Sequence, residues 1–221
     1  MRFNAACSIS LATALLALAV RAEPSREDAP LSLAALMDGM AKSSGVIADF
    51  HETKQIALLA KPLESSGVLY FVPPDRLARF TLEPEASALI IDGGKLRFQQ
   101  GEHEQFDLSA NPMARIFIDN FIVLFNGDLP KLQQLYRTDF HADGERWSLD
   151  LEPRGPELSR VVKEIALRGD RTGIREMVMQ NRDGDRTSTA LDVIETHYAF
   201  TNEQLQALFV EGTRPATPGI R

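Results

Sequence analysis

The chain has 221 residues with 24 basic and 31 acidic side chains, a formal charge of −7 and one cysteine. Nucleic acid and anionic membrane surfaces are bound through clustered Lys and Arg, so this acidic balance argues against both as partners. The length suits one domain with a sizeable core, or at most two small ones, and no internal repeat or long linker divides it.

At the N-terminus, Arg2 precedes an uncharged, mostly apolar stretch from Ile9 to Val20 that stops at Arg21. A membrane-spanning helix needs about 20 apolar residues, and this run of twelve ends in the small-residue pattern Val20-Arg21-Ala22. The pattern predicts a signal peptide over residues 1–22, cut after Ala22, and export to the periplasm. Cys7 lies before the apolar run, not after it as a lipid-modified cysteine would, and is expected to leave with the leader. The mature chain then has no thiol for a disulfide, a Cys-based zinc site or a nucleophile. Cleavage also removes Arg2 and Arg21, leaving 22 basic against 31 acidic residues and a charge of −9.

Residues 23–30 (EPSREDAP) are polar and proline-containing, as in a flexible lead, and a single domain is expected over 31–210. Leu33, Leu36, Met37 and Met40 recur at helical spacing behind Ser32 as N-cap, predicting a helix to about Lys42. From Val46 the period changes to two, with Val46, Ala48 and Phe50 on one face of a strand that runs to about Ile56. Four more strands are predicted at 65–72, 76–82, 88–91 and 95–99. They are separated by Pro73-Pro74, Glu83-Pro84 and the hairpin signal Asp92-Gly93-Gly94, which makes an antiparallel meander.

Between Asn111 and Tyr136 the period becomes helical again. Met113, Ile116, Phe117, Phe121, Leu124 and Phe125 mark one stripe, and Ile118, Ile122 and Val123 widen it until the segment is apolar nearly all round. Such a helix must be covered on most sides. Alternation then returns at Trp147, Leu149 and Leu151, at Ile165 and Leu167, and at Met177 and Met179, with Gly-containing turns between, which predicts an open sheet or barrel. Thr201 and Gln204 form a capping box for a last helix over Asn202 to Phe209, and residues 211–221 are expected to be disordered.

The order of helix, five-strand meander, apolar helical insert and further meander resembles the periplasmic lipoprotein carrier family, LolA. The resemblance is densest from Gly67 to Phe98, where Pro74, Pro84, Asp92 and Gly93 fall where the family pattern of strands, proline turns and a D-G hairpin wants them. It implies a mainly β fold with some α: a half-open antiparallel barrel wrapped around an apolar cavity and closed on one side by short lid helices that move aside for an acyl chain. Carried onto this sequence, the cavity is expected to be lined by Phe50, Leu69, Phe71, Leu77, Arg79, Leu89, Ile91, Leu96 and Phe98. Met113, Ile116, Phe117, Phe121, Leu124 and Phe125 fall on the lid. The implied partners are a lipid or acylated cargo, an inner-membrane donor and an outer-membrane acceptor, with the carrier a monomer that needs no cofactor or metal and has no catalytic residues.

Three positions depart from the family pattern. Pro73 stands where the family has an arginine that links barrel to lid; proline donates no hydrogen bond, so a latch must be built differently here. Arg79 replaces an aromatic residue on the cavity-facing side of its strand. Inside an apolar cavity it needs a partner, either a lid acid such as Asp119 or a phosphate on the ligand; a register slip of one residue would instead turn it to solvent. Third, Val210 to Arg221 shows no counterpart of the extra strand that follows the last helix in the family.

Catalytic patterns are weak. His51-Glu52 and His103-Glu104 begin like H-E-x-x-H, but Gln55 and Asp107 stand where the second histidine belongs. Asn181, Asp183 and Asp185 lack the glycine and glutamate positions of a calcium loop and read as a hairpin tip. The sequence therefore reads as a carrier, with an envelope sensor or adaptor that binds a partner protein through the same half-barrel as the alternative.

Overall fold

The computed structural model describes residues 31–101, 104–107 and 122–215. Helix α1 (Leu33–Ala41) begins where expected, with the Ser32 side chain accepting from the Ala35 N–H. Eleven strands follow: β1 (Val46–Gln55), β2 (Leu63–Val72), β3 (Arg76–Glu83), β4 (Ser87–Asp92), β5 (Lys95–Gln100), β6 (Glu104–Asp107), β7 (Tyr136–Asp143), β8 (Arg146–Pro153), β9 (Val162–Asp170), β10 (Gly173–Asn181) and β11 (Arg186–Glu195). They form one sheet in the order β6-β5-β4-β3-β2-β1-β11-β10-β9-β8-β7. Every neighbouring pair is antiparallel.

Each half is a meander of consecutive strands, and the halves are fused where β1 pairs with β11 from Ile47↔Glu195 to Gln55↔Arg186. The sheet does not close on itself: β6 and β7 are its two edges. The chain passes from β6 to β7 through the helical insert, so topology alone carries the insert from one edge of the sheet to the other. Within it residues 122–126 are helical, and α2 (Leu129–Leu135) follows with Asp128 as its N-cap and Pro130 in its first turn.

The strands of the first half bury both faces, which is why Val68 to Val72 and Ala88 to Ile91 read as unbroken apolar runs. On the concave face, Phe50, Leu69, Phe71, Leu77, Ile91 and Leu96 cluster against Ile122 and Phe125 of the insert. On the convex face, Val68, Tyr70, Ala78, Phe80, Ala88 and Ile90 pack beneath Leu208 and Phe209. Those two residues belong to the C-terminal helix, which starts as α4 (Asn202–Gln206), with the Thr201–Gln204 capping box in place, and continues as a π-helix over Ala207–Glu211. Arg97 on the convex side donates to the carbonyls of Phe209 and Val210, satisfying the acceptors that a helix C-terminus leaves open. Gly212 is buried beyond this cap at φ 71°, so ordered packing extends past residue 210.

In the second half one core joins the concave sides of β8 and β9 (Trp147, Leu149, Leu151, Ile165, Leu167) to Leu36 and Met37 of α1, Val123 and Leu124 of the insert and Leu132 of α2. The short helix α3 (Pro156–Ser159) adds Leu158.

Several expectations need correction. The insert is not one helix to Tyr136: it breaks at Gly127, whose φ is 66° and where a Cβ would lie 2.0 Å from the Met37 carbonyl oxygen. Only glycine lets the break seat so closely on α1. Tyr136 already opens β7. The short edge strand β6, the polar strand β7 and the Thr- and Ser-containing β11 had no clear alternating signal. Asn181, Asp183 and Asp185 do sit at the turn between β10 and β11, where the Asp185 carboxylate accepts from the Ala57 N–H at 2.9 Å and ties this tip to the β1–β2 connection.

The β9–β10 turn carries a local acid cluster. Asp170 accepts from the Thr172 N–H at 2.8 Å, the Thr172 hydroxyl at 2.5 Å and Arg175 Nε at 2.9 Å. Desolvation pushes its pKa up, but the hydrogen bonds from Thr172 and Arg175 outweigh this and hold it at about 2, below the ordinary 3.8. A folded-state pKa below the unfolded one means that the stabilisation is complete above about pH 4 and is lost as the pH falls through about 2. Asp170→Asn is therefore expected to flatten the pH dependence of stability between these values, measured by urea unfolding at a series of pH values. An unchanged pH profile would show that the turn contributes nothing.

Candidate functional site

Between the concave face of the sheet and the helical insert lies a cavity of about 400 Å³. This falls within the roughly 300–1,000 Å³ of small-molecule sites. Its walls come from both halves of the sheet and from the insert. The first half supplies Phe50, Leu69, Leu77, Arg79, Leu89, Ile91 and Leu96, all expected from the sequence. Leu124 and Phe125 supply the roof, also as expected.

Two further expected residues, Phe71 and Phe98, lie on the same face of the sheet but do not line the cavity itself. Phe71 is fully buried on the concave face, where its ring packs against Phe125 with centroids 5.2 Å apart. Phe98 is half-buried on β5 opposite Leu89 and is not among the lining residues. Met113, Ile116, Phe117 and Phe121 lie outside the described residues, as does Asp119.

Half of the wall was not anticipated. Ile165, Leu167, Ile174, Met177, Met179 and Leu191 line the cavity from β9, β10 and β11, and Glu52, Lys54, Thr187 and Thr189 add polar groups. The alternation at Ile165/Leu167 and Met177/Met179 was visible in the sequence, but nothing local said that it faced the same space as Leu77. Register explains the convergence: Met177 pairs with Leu167 on one side and with Thr189 on the other, and Thr189 pairs with Glu52.

The polar residues of the wall sit together. Glu52 opposes Thr189 and Lys54 opposes Thr187 across the β1–β11 junction. The Thr189 hydroxyl donates to Glu52 Oε2 at 3.2 Å. Arg79 faces into the cavity, paired in register with Leu69, so no slip turns it to solvent. Its Nη2 lies 3.1 Å from Glu52 Oε1, and its guanidinium carbon stands 4.1 Å above the centre of the Phe50 ring. Its described partner is thus an acid of β1, two strands away across β2, and not a lid acid. A guanidinium over an aromatic face gains cation–π attraction that grows as water is excluded. Gly67 makes this packing possible, since a Cβ there would lie 1.9 Å from the Phe80 carbonyl and 2.9 Å from the Phe50 ring.

The latch that proline at 73 rules out is replaced by a backbone acceptor. Asn126, at the end of the helical segment 122–126, donates through Nδ2 to the carbonyl of Pro74 in the β2–β3 turn at 2.5 Å. Insert and barrel are thereby joined by one exposed hydrogen bond in addition to apolar packing. Among the described residues, no three His, Cys, Asp or Glu side chains converge as metal ligands, and no helix is long and apolar enough to cross a membrane.

Comparison with solved structures finds similar folds at low identity. A chain of the Pseudomonas aeruginosa MucA/MucB complex is 15% identical, with a TM-score of 0.44 over 79% of this chain and 60% of that one. A LolA superfamily protein of Nitrosomonas europaea is 8% identical, with a TM-score of 0.42 over 78% of this chain and 96% of that one. The lipoprotein LppX of Mycobacterium tuberculosis is 7% identical, with a TM-score of 0.41 over 76% and 97%. This chain thus spans about 60% of the length of the MucA/MucB complex chain it matches. No curated protein matches the sequence. The model of the family described as outer membrane lipoprotein carrier protein LolA-like matches residues 26–210, and with the open antiparallel sheet, the bridging insert and the apolar cavity in view, the chain belongs to the LolA-like family.

Proposed function

We propose that this protein is a periplasmic carrier that takes the acyl chain of a lipid, lipoprotein or lipid-linked product into its cavity and shuttles it from the inner toward the outer membrane. The observation that carries the reading is the cavity itself: aliphatic, aromatic and methionine side chains from eight strands and the insert surround space that the core leaves unfilled. Protein interiors are normally packed to crystal-like density, so an apolar space of this size is suited to a ligand. Each methylene buried there contributes about 0.8 kcal/mol, enough for a long chain to reach micromolar affinity after association losses without any catalytic group. Membership in the LolA-like family supports the same role.

In this reading cargo enters when the insert swings off the concave face. Directionality comes from the membrane partners, since a ligand moves an equilibrium only by its differential affinity for two states.

Binding of the neutral apolar probe N-phenyl-1-naphthylamine to the detergent-free protein tests the cavity. Leu77→Glu and Leu89→Glu place a carboxylate in its wall and are expected to weaken probe binding about tenfold or more while far-UV circular dichroism is retained. Unimpaired binding in both variants would place the probe, and the proposed cargo site, elsewhere. A wild-type chain that binds no apolar probe would favour the adaptor reading.

The Asn126–Pro74 hydrogen bond yields a kinetic expectation. Asn126→Ala removes the barrel–insert latch at a stability cost of about 1 kcal/mol, and stopped-flow dissociation of the probe should become several-fold faster. An unchanged dissociation rate would mean that the insert does not open at this end.

A further inference from the structure

The cavity is amphipathic, and its polarity is sorted. Of its lining residues, Glu52, Lys54, Arg79, Thr187 and Thr189 are the polar ones, and all lie on β1, β3 and β11. The remaining wall, among the described residues, is apolar. Two cations face one carboxylate, so this end of the cavity is net positive in a chain that is acidic as a whole.

Among the described lining residues the one carboxylate, Glu52, is already engaged. Glu52 Oε2 accepts from Thr189, and Oε1 lies near Arg79 Nη2. That nitrogen is buried and ion-paired with Glu52 at 3.1 Å, yet it makes no hydrogen bond among the described residues. Stacking on Phe50 holds the guanidinium plane in place. A buried donor left without an acceptor is costly, and a guanidinium presents a fork of donors that matches a carboxylate or phosphate. Lys54 is exposed at the rim of the same cavity, where it adds charge without needing burial.

Resting on the carrier reading, we infer that the cargo has an anionic head, a phosphate or carboxylate joined directly to its chain, which Arg79 receives with Lys54 at the rim. The chain itself then runs along Leu77, Ile91 and Leu96 toward Phe125. Glu52 has a second role: it neutralises Arg79 while the cavity is empty, which limits the cost of holding a cation there, and it sets a ceiling on how tightly an anion binds.

The test is competition against N-phenyl-1-naphthylamine by probes of one chain length: dodecyl phosphate, laurate and dodecanol. The readout is the ratio of anion to alcohol affinity, which a general loss of packing does not change. In wild type the anions should compete about tenfold better than dodecanol. Arg79→Gln should bring that ratio close to one, and Glu52→Gln should raise it. Equal competition by dodecanol and dodecyl phosphate in wild type, or an Arg79→Gln variant that weakens all three probes alike, would overturn the inference while leaving the carrier reading intact. Failure of wild type to bind any of the probes would remove both. Millimolar inorganic phosphate should leave the preference in place. If it abolishes the preference, Arg79 serves a free anion and not a lipid head, and the inference fails.

Discussion

The pairing of β1 with β11 is the constraint on which the rest of the structure depends. It joins two sequential meanders into one sheet and leaves β6 and β7 as the free edges. Those edges are consecutive in the chain but lie at opposite ends of the sheet, so the segment between them has to span from one to the other. The described part of the insert packs there, with Ile122 and Phe125 against the first half of the sheet and Val123 and Leu124 in the core that includes α1. The same pairing lays Glu52 against Thr189 and Lys54 against Thr187, and so creates the polar end of a cavity that is otherwise hydrocarbon.

Two different solutions to burial meet in one sheet. The convex side of β2–β4 is packed shut by Leu208 and Phe209 from the C-terminal helix, held there by Arg97 and by Arg76, whose guanidinium lies 4.2 Å from the Phe209 ring centre. The concave side is covered by the insert but not filled. The two faces are thereby separated: the convex layer anchors the strands, and the concave layer keeps a cavity. Among the described residues, Asn126 to the Pro74 carbonyl is an exposed hydrogen bond that joins insert to sheet beside the apolar packing of Ile122 and Phe125.

Much of this was legible in the sequence where the signals are local. Ser32 and Thr201 mark helix starts because a side-chain oxygen three residues before a free N–H can cap it. Asp92-Gly93-Gly94 marks a hairpin because glycine accepts positive φ, here 57° and 78°. The concave residues from Phe50 to Leu96 followed from alternation combined with the family resemblance. What escaped was non-local. Glu52 reads as a surface acid until a strand 137 residues away supplies Thr189. Likewise, the β9–β11 wall residues look like any half-buried strand face. The break at Gly127 was hidden for the opposite reason, since the apolar stripe on either side is continuous enough to mask the stop that the glycine imposes. The barrel–insert latch was invisible because its acceptor is a backbone carbonyl, which every residue has.

In the carrier reading proposed above, selectivity has two sources: the apolar wall of the cavity for a chain, and Arg79 and Lys54 for its head. The most direct test of the central claim is native mass spectrometry, with lipid extraction, on protein exported to the periplasm and purified without detergent. A bound mass that fragments into acyl chains is the predicted result and would also identify the cargo. A clean unliganded mass that takes up no acyl probe afterwards would contradict the account and leave the half-barrel as a surface for a protein partner.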